Sequence, residues 1–179
     1  MKKLLVSACL LGQPVRYDGD SNENKVGHLQ PLLSLWQQLG LLVVVCPEVL
    51  GGLPTPRPAA EIIGGQGDQV LAGNSRIITR AGDDVTAEFV AGAKRALDKS
   101  SLETAQGNEV VAALLAARSP SCGADGTYDG HFSSTLTTGQ GVTAALLEQH
   151  GIPCFSPAAD RQLLALLQQH GFPVTKPGC

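Results

Sequence analysis

Two short apolar runs, each closed by a cysteine, mark the first quarter of the chain. Leu4-Leu5-Val6-Ser7-Ala8-Cys9 runs into a turn at Gly12 and Pro14, and Leu41-Leu42-Val43-Val44-Val45-Cys46 runs into Pro47. Runs of this length without polar alternation are what strands covered on both faces require, as in a parallel sheet. Between them Leu29, Leu32, Leu33, Leu35, Trp36 and Leu39 recur at helical spacing over His28 to Leu39, with Gly40 placed to end the helix. Strand, helix and strand then form a βαβ unit with parallel strands and a right-handed crossover.

Beyond this unit the pattern loosens. Residues 49–68 are dense in Gly and Pro and predict a loop, and Gln69 to Thr79 around Ala72-Gly73-Asn74 predicts a small hairpin. Thr86 to Lys99 predicts a helix capped by Asp83 or Asp84, with Phe89, Val90, Ala93 and Leu97 on one face. Glu109 to Ala117 has the Ala and Leu content of a helix. Its length, its place after a helix and the turn Arg118-Ser119-Pro120-Ser121-Cys122-Gly123 behind it predict a third strand instead. A glycine-rich loop, a helix from Val142 to His150, a short strand through Ile152 to Phe155 and a helix from Ala159 to His170 complete the order. That order, with strands and helices alternating, implies an α/β fold: a three-layer Rossmann-like domain with a mostly parallel sheet and a small hairpin insertion.

The 179 residues fit a single domain spanning 1–179, on a prior of roughly 100 to 200 residues per domain, and neither a repeat nor a linker interrupts them. Hydrophobic residues make up 43% and charged residues 16%, against a usual charged share of about 25%, which excludes a disordered chain. A net charge of −3 with no basic block and 4% aromatics argues against a nucleic-acid partner. No apolar stretch approaches the roughly 18 residues of a membrane span, and the Met1-Lys2-Lys3 start has no cleavage site behind it. A soluble, cytoplasmic protein is expected. There the five cysteines, odd in number and without a CxxC pair, are expected to be reduced, catalytic or metal-bound.

Ligands of open parallel sheets bind outside the carboxyl ends of the strands, and Cys9, Cys46 and Cys122 each fall at such an end. Three thiolates gathered there would suit a soft metal or an iron–sulfur cluster with one open iron. Buried cysteines packed at strand ends are the other reading, and separations of 37 and then 76 positions match no compact ligand repeat. Glu48 stands two residues after Cys46, on the same side if the chain there is extended. It is a candidate general base, or else a solvated loop residue. Ser119 and Ser121 offer hydroxyls to a ligand or to their own turn. Arg16, Tyr17, Asp18 and Arg57 would hold a planar polar ligand or pin loops through ion pairs. Cys9 and Arg16 are one residue too far apart for a phosphatase loop. Gly139-Gln140-Gly141-Val142-Thr143-Ala144 reads as a glycine turn whose helix offers N–H groups to an anion or carbonyl rather than as a nucleotide fingerprint. Cys154 is expected to pack near the last strand and Cys179 to be mobile; the four histidines lack metal-ligand spacing.

Taken together, six segments resemble one family, the thiouracil desulfidases, first catalogued as a domain of unknown function. They are Ser7-Ala8-Cys9-Leu10-Leu11-Gly12, Arg16-Tyr17-Asp18-Gly19, Cys46-Pro47-Glu48, Gly51-Gly52-Leu53-Pro54-Thr55-Pro56-Arg57, Ser119-Pro120-Ser121-Cys122-Gly123 and Tyr128-Asp129-Gly130. The resemblance implies a [4Fe–4S] cluster held by only three cysteines, here Cys9, Cys46 and Cys122, with the fourth iron free. It implies a small-molecule substrate, 2-thiouracil, converted without net redox change to uracil and hydrogen sulfide, with catalytic roles for Glu48 and Ser119. The alternatives are cluster-dependent desulfuration or sulfur transfer on another thiolated base or small molecule, a metal-free cysteine-nucleophile hydrolase, and an iron–sulfur binding module without turnover.

Overall fold

A computed structural model describes residues 1–175, so Cys179 lies outside the described residues. Its centre is a four-stranded parallel sheet in the order β2-β1-β5-β8, formed by Leu42–Val45, Lys2–Ser7, Glu109–Leu114 and Cys154–Phe155. β1 lies inside the sheet, with Val6 opposite Val44 on one side and Leu114 on the other. Leu4, Leu5 and Val6 are fully buried, which explains why this strand shows no polar alternation.

α1 (Gln30–Gln38) joins β1 to β2, and α5 (Val142–Gln149) joins β5 to β8 in the opposite direction across the sheet. Right-handed crossovers therefore place α1 on one face and α5 on the other, giving three layers. Beside α1, α6 (Asp160–Gln169) closes the first face, where Trp36 meets Phe172 edge-on at 5.5 Å and donates from Nε1 to the Pro173 carbonyl at 2.8 Å. α4 (Thr86–Ala105) accompanies α5. A second apolar cluster of Ile62, Val70, Ile77, Phe89, Ala93, Val142 and Leu146 fixes the hairpin insertion against these two helices. Among the described residues no helix is long and apolar enough to cross a membrane.

The segment expected to be a loop and then a hairpin differs in register. Pro47–Leu50 forms a short helix, α2, and the hairpin strands are β3 (Ala60–Ile63) and β4 (Arg76–Thr79), paired antiparallel. Gln69 lies in a one-turn helix between them, α3 (Gly67–Leu71). There its side chain caps the Gln66 amide at 2.6 Å, a local hydrogen bond that competes with strand pairing. α4 outruns its expected end by six residues, and its N-cap is Val85 rather than either expected aspartate; Asp84, one residue earlier, accepts from the Thr86 amide at 3.0 Å. The polar stretch before α5 contains a second small hairpin, β6 (Thr127–Tyr128) with β7 (Leu136–Thr137).

Candidate functional site

The chain leaves β1 toward β2 and returns to β5 on β1's other side, so the sheet changes winding direction beside β1. Such a switch point opens a crevice at the strands' carboxyl ends. Cys9 sits there in the turn Ala8–Leu11 that follows β1, Cys46 directly after β2 at the start of α2, and Cys122 in the turn that follows β5. Cys9 and Cys122 are 8% and 6% exposed, Cys46 is half-buried, and all three are free thiols. Burial pushes each thiol above its usual range. The neighbouring thiolates add to the rise, Cys46 at Cys9 and both of these at Cys122.

Two of the sulfurs accept a side-chain hydrogen bond, and Cys46 Sγ instead faces the Val15 carbonyl at 3.9 Å. Asn22 Nδ2 donates to Cys9 Sγ at 3.5 Å, its amide held by Arg16, whose Nη1 donates to Asn22 Oδ1 at 3.2 Å. Ser7 Oγ accepts from the Ala116 amide at 3.0 Å and donates to Cys122 Sγ at 3.6 Å. The backbone amides of Val49 and Glu48 favour the thiolate at Cys46. Neither Asn22 nor Ser7 was singled out in the sequence. Asn22 carries no local signal, whereas Ser7 lies in the Ser-Ala-Cys motif two residues before a cysteine.

Glu48 does not face the thiols through an extended chain, as its spacing suggested; Pro47 starts α2, and Glu48 lies in its first turn. What brings the carboxylate into the crevice is the seating of α2 on α4. A Cβ on Gly92 would lie 1.9 Å from the Pro47 carbonyl oxygen, and one on Gly51 would lie 2.0 Å from that of Glu88. Only glycines allow two backbones so close. The Glu48 side chain, 14% exposed, accepts at Oε2 from Arg57 Nε at 2.6 Å, with Nη2 in ion-pair contact with the same oxygen at 2.5 Å, and at Oε1 from Ser119 Oγ at 3.2 Å. The same Ser119 oxygen accepts the backbone amides of Ser121 and Cys122 at 3.0 and 3.1 Å, tying it to the cysteine turn.

The structure thus brings together Cys9, Cys46, Cys122, Glu48, Ser119 and Arg57. The other candidates do different things. Arg16 pairs with Asp18 at 2.9 Å and stacks over Tyr17, whose side is open to solvent at 44% exposure. Ser121 is fully buried and its hydroxyl meets Thr143 Oγ1 at 2.8 Å. The first amides of α5 are taken by the protein itself: Gly141, Val142 and Thr143 donate to the carbonyls of Gly123, Pro120 and Ser121. That helix end offers its N–H groups to carbonyls of the cysteine turn, so no anion is held there. Cys154 lies in β8 with its thiol pushed up by burial.

Buried soft donors, a clamped carboxylate and a serine at the switch point of a parallel sheet define an α/β protein with a thiol-lined crevice. The chain belongs to the 2-thiouracil desulfurase family, whose model matches residues 4–158. It is 42% identical over 148 residues to the uncharacterized protein YbbK of Bacillus subtilis (strain 168), spanning 83% of this chain and 91% of that one. Among solved structures it is similar to the [4Fe–4S]-dependent thiouracil desulfidase TudS, with 44% identity and a TM-score of 0.78 over 94% of this chain and 99% of that one.

Proposed function

We propose that this protein desulfurates 2-thiouracil, adding water and giving uracil and hydrogen sulfide, with a [4Fe–4S] cluster held by Cys9, Cys46 and Cys122. The observation that carries the reading is the placement of these cysteines after β1, β2 and β5, near enough to raise one another's thiols, beside the Glu48–Ser119 pair. The donor set fits the cofactor. Thiols are the ligands of such clusters, and N–H and O–H groups on sulfur stabilise the ligating thiolate. Among the described residues no three His, Cys, Asp or Glu side chains converge on a single ion. A cubane does not need them to, since each thiolate takes a different iron.

When bound, the cluster supplies an iron without a protein thiolate, a thiophilic Lewis acid for the thiocarbonyl sulfur. The chain's own groups handle the proton. Glu48 takes it from the water that adds at C2 and returns it as the carbon–sulfur bond breaks, while Ser119, donating to Glu48 Oε1, holds the carboxylate in place. Sulfur leaves at its starting oxidation state, so no electron donor is required. Tyr17, with Arg16 and Asp18 on the exposed loop, is the group available to the ring's open face. Reducing cytoplasm suits four described cysteines that are all free.

A metal-free cysteine nucleophile is disfavoured by the burial of Cys9 and Cys122, which holds them as thiols. The test is anaerobic purification with iron, acid-labile sulfide and turnover measured together. About four of each per chain, with uracil and sulfide formed one to one from 2-thiouracil, are expected. A protein that takes up no iron on reconstitution overturns the reading. A loaded protein that acts only on other thiolated compounds keeps the cofactor and corrects the substrate.

A further inference from the structure

We infer that Arg57 is the positioning residue of the Glu48–Ser119 pair, fixing which carboxylate oxygen meets the serine, and that it is not a substrate ligand. The inference rests on the desulfuration reading above. A guanidinium has five N–H groups; four donate hydrogen bonds within the protein and the fifth lies in the ion pair with Glu48. Nε donates to Glu48 Oε2, Nη2 stands 2.5 Å from the same oxygen, and Nη2 also donates to the Val15 carbonyl at 2.9 Å. The two Nη1 hydrogens go to the Pro54 carbonyl at 3.1 Å and Thr55 Oγ1 at 3.0 Å. The side chain is only 5% exposed. Nothing is left with which to hold a ligand, in contrast to the role its charge suggests in the sequence.

The commitment is also asymmetric. Val15, Pro54 and Thr55 hold the guanidinium from two separate loops, and its backbone amide is anchored on the Tyr17 carbonyl at 2.7 Å. Against this fixed plane Nε donates to Oε2 and Nη2 pairs electrostatically with the same oxygen. Turning the carboxylate would lose the hydrogen bond and the ion pair together, so Oε1 stays on Ser119. The serine is constrained in turn, because its oxygen already accepts two amides and its one proton has only Glu48 to go to. Arg57 therefore acts through Glu48, at one remove from the reacting atoms. Lysine keeps the charge but offers its donors from one point and cannot reproduce the fork.

The test is a double-mutant cycle on cluster-loaded protein with 2-thiouracil. In Arg57→Lys, kcat is expected to fall about 100-fold, the scale of a misplaced catalytic group, with KM and the directly measured Kd changed less than about threefold. In a Glu48→Gln background the same substitution should cost nothing further, since its target is gone. Thr55→Val, which removes one anchor and leaves the arginine in place, should lower kcat in the same sense by a smaller factor and keeps the test open if Arg57→Lys does not fold. A rise in KM at unchanged kcat would make Arg57 a substrate ligand and overturn the inference. Unchanged kcat in Thr55→Val and Arg57→Lys, or an equal loss in the Glu48→Gln background, would overturn it too. Wild-type turnover separates the two levels: with it present these failures count against Arg57 alone, and without it the desulfuration reading falls and this inference with it.

Discussion

Ser119 Oγ lies 3.2 Å from Glu48 Oε1, across 71 positions of sequence, and accepts two backbone amides from its own turn. One side chain thus ties the carboxylate of the α2 segment to the turn that carries Cys122. Replacing Glu48 by Gln keeps the shape and removes the base. Iron content should stay at the wild-type level while kcat falls by about 10²- to 10⁴-fold, the range of general base catalysis; near-normal turnover would remove Glu48 from the mechanism.

Ser119→Ala acts on two levels. Two amides lose their acceptor, costing about 1 kcal/mol of stability at this half-buried position, and Glu48 Oε1 loses the donor that orients it. Turnover should fall about 100-fold. Urea unfolding read beside kinetics checks the pair, and full activity in a destabilised variant would leave Ser119 a turn residue only.

The four described cysteines should separate cleanly by iron analysis. Cys9→Ala, Cys46→Ala and Cys122→Ala are each expected to lose the cluster, whereas Cys154→Ala, altered in β8, should keep it. Full iron in any of the first three would show the ligand set to be wrong.

Gly92→Ala tests the seating of α2. The added methyl would meet the Pro47 carbonyl at 1.9 Å, so α2 must move or α4 must yield. A loss of about 1–3 kcal/mol, typical of overpacking, is expected with a parallel fall in kcat. Wild-type melting and turnover would show that Glu48 does not depend on this contact.

Cys154 predicts an alkaline limit. Burial, then the nearby Glu148, raises its thiol above the ordinary 9.0. The unfolded thiol ionises first, so stability is fully present below pH 9 and declines as pH rises above it. Cys154→Ala should make the melting temperature fall less between pH 8 and pH 10.5 than it does in the wild type; identical slopes would assign the alkaline loss elsewhere.

The sheet was legible because its inner strand β1 is buried on both faces and its edge strand β2 stays apolar with every residue at least half-buried, so Leu4-Leu5-Val6 and Leu42-Val43-Val44-Val45 declare themselves by apolarity alone. Glu109 to Leu114 was legible against its helix propensity, since length and the following turn outweighed Ala content. The hairpin was placed out of register because Gln66 and Gln69 cap a helical turn through side chains, which no periodicity records. At the site, the cysteines were readable from their strand ends. The roles of Arg57 and Gly92 were not, because each depends on backbone carbonyls brought close only by the fold: Val15, Pro54 and Pro47. The link from Arg16 through Asn22 to Cys9 was likewise not legible, because it joins residues with no shared spacing signal.

β1's place in the sheet also sets an order of events during synthesis. Its first neighbour ends at Val45, but the strand that covers its other edge ends only at Leu114, and Cys122 follows eight residues later. At roughly 5–20 residues per second the nascent chain carries Cys9 and Cys46 beside a bare strand edge for seconds before the third thiol exists. A cluster held by all three thiols can therefore form only after Cys122 has been added, well after the first two strands are in place.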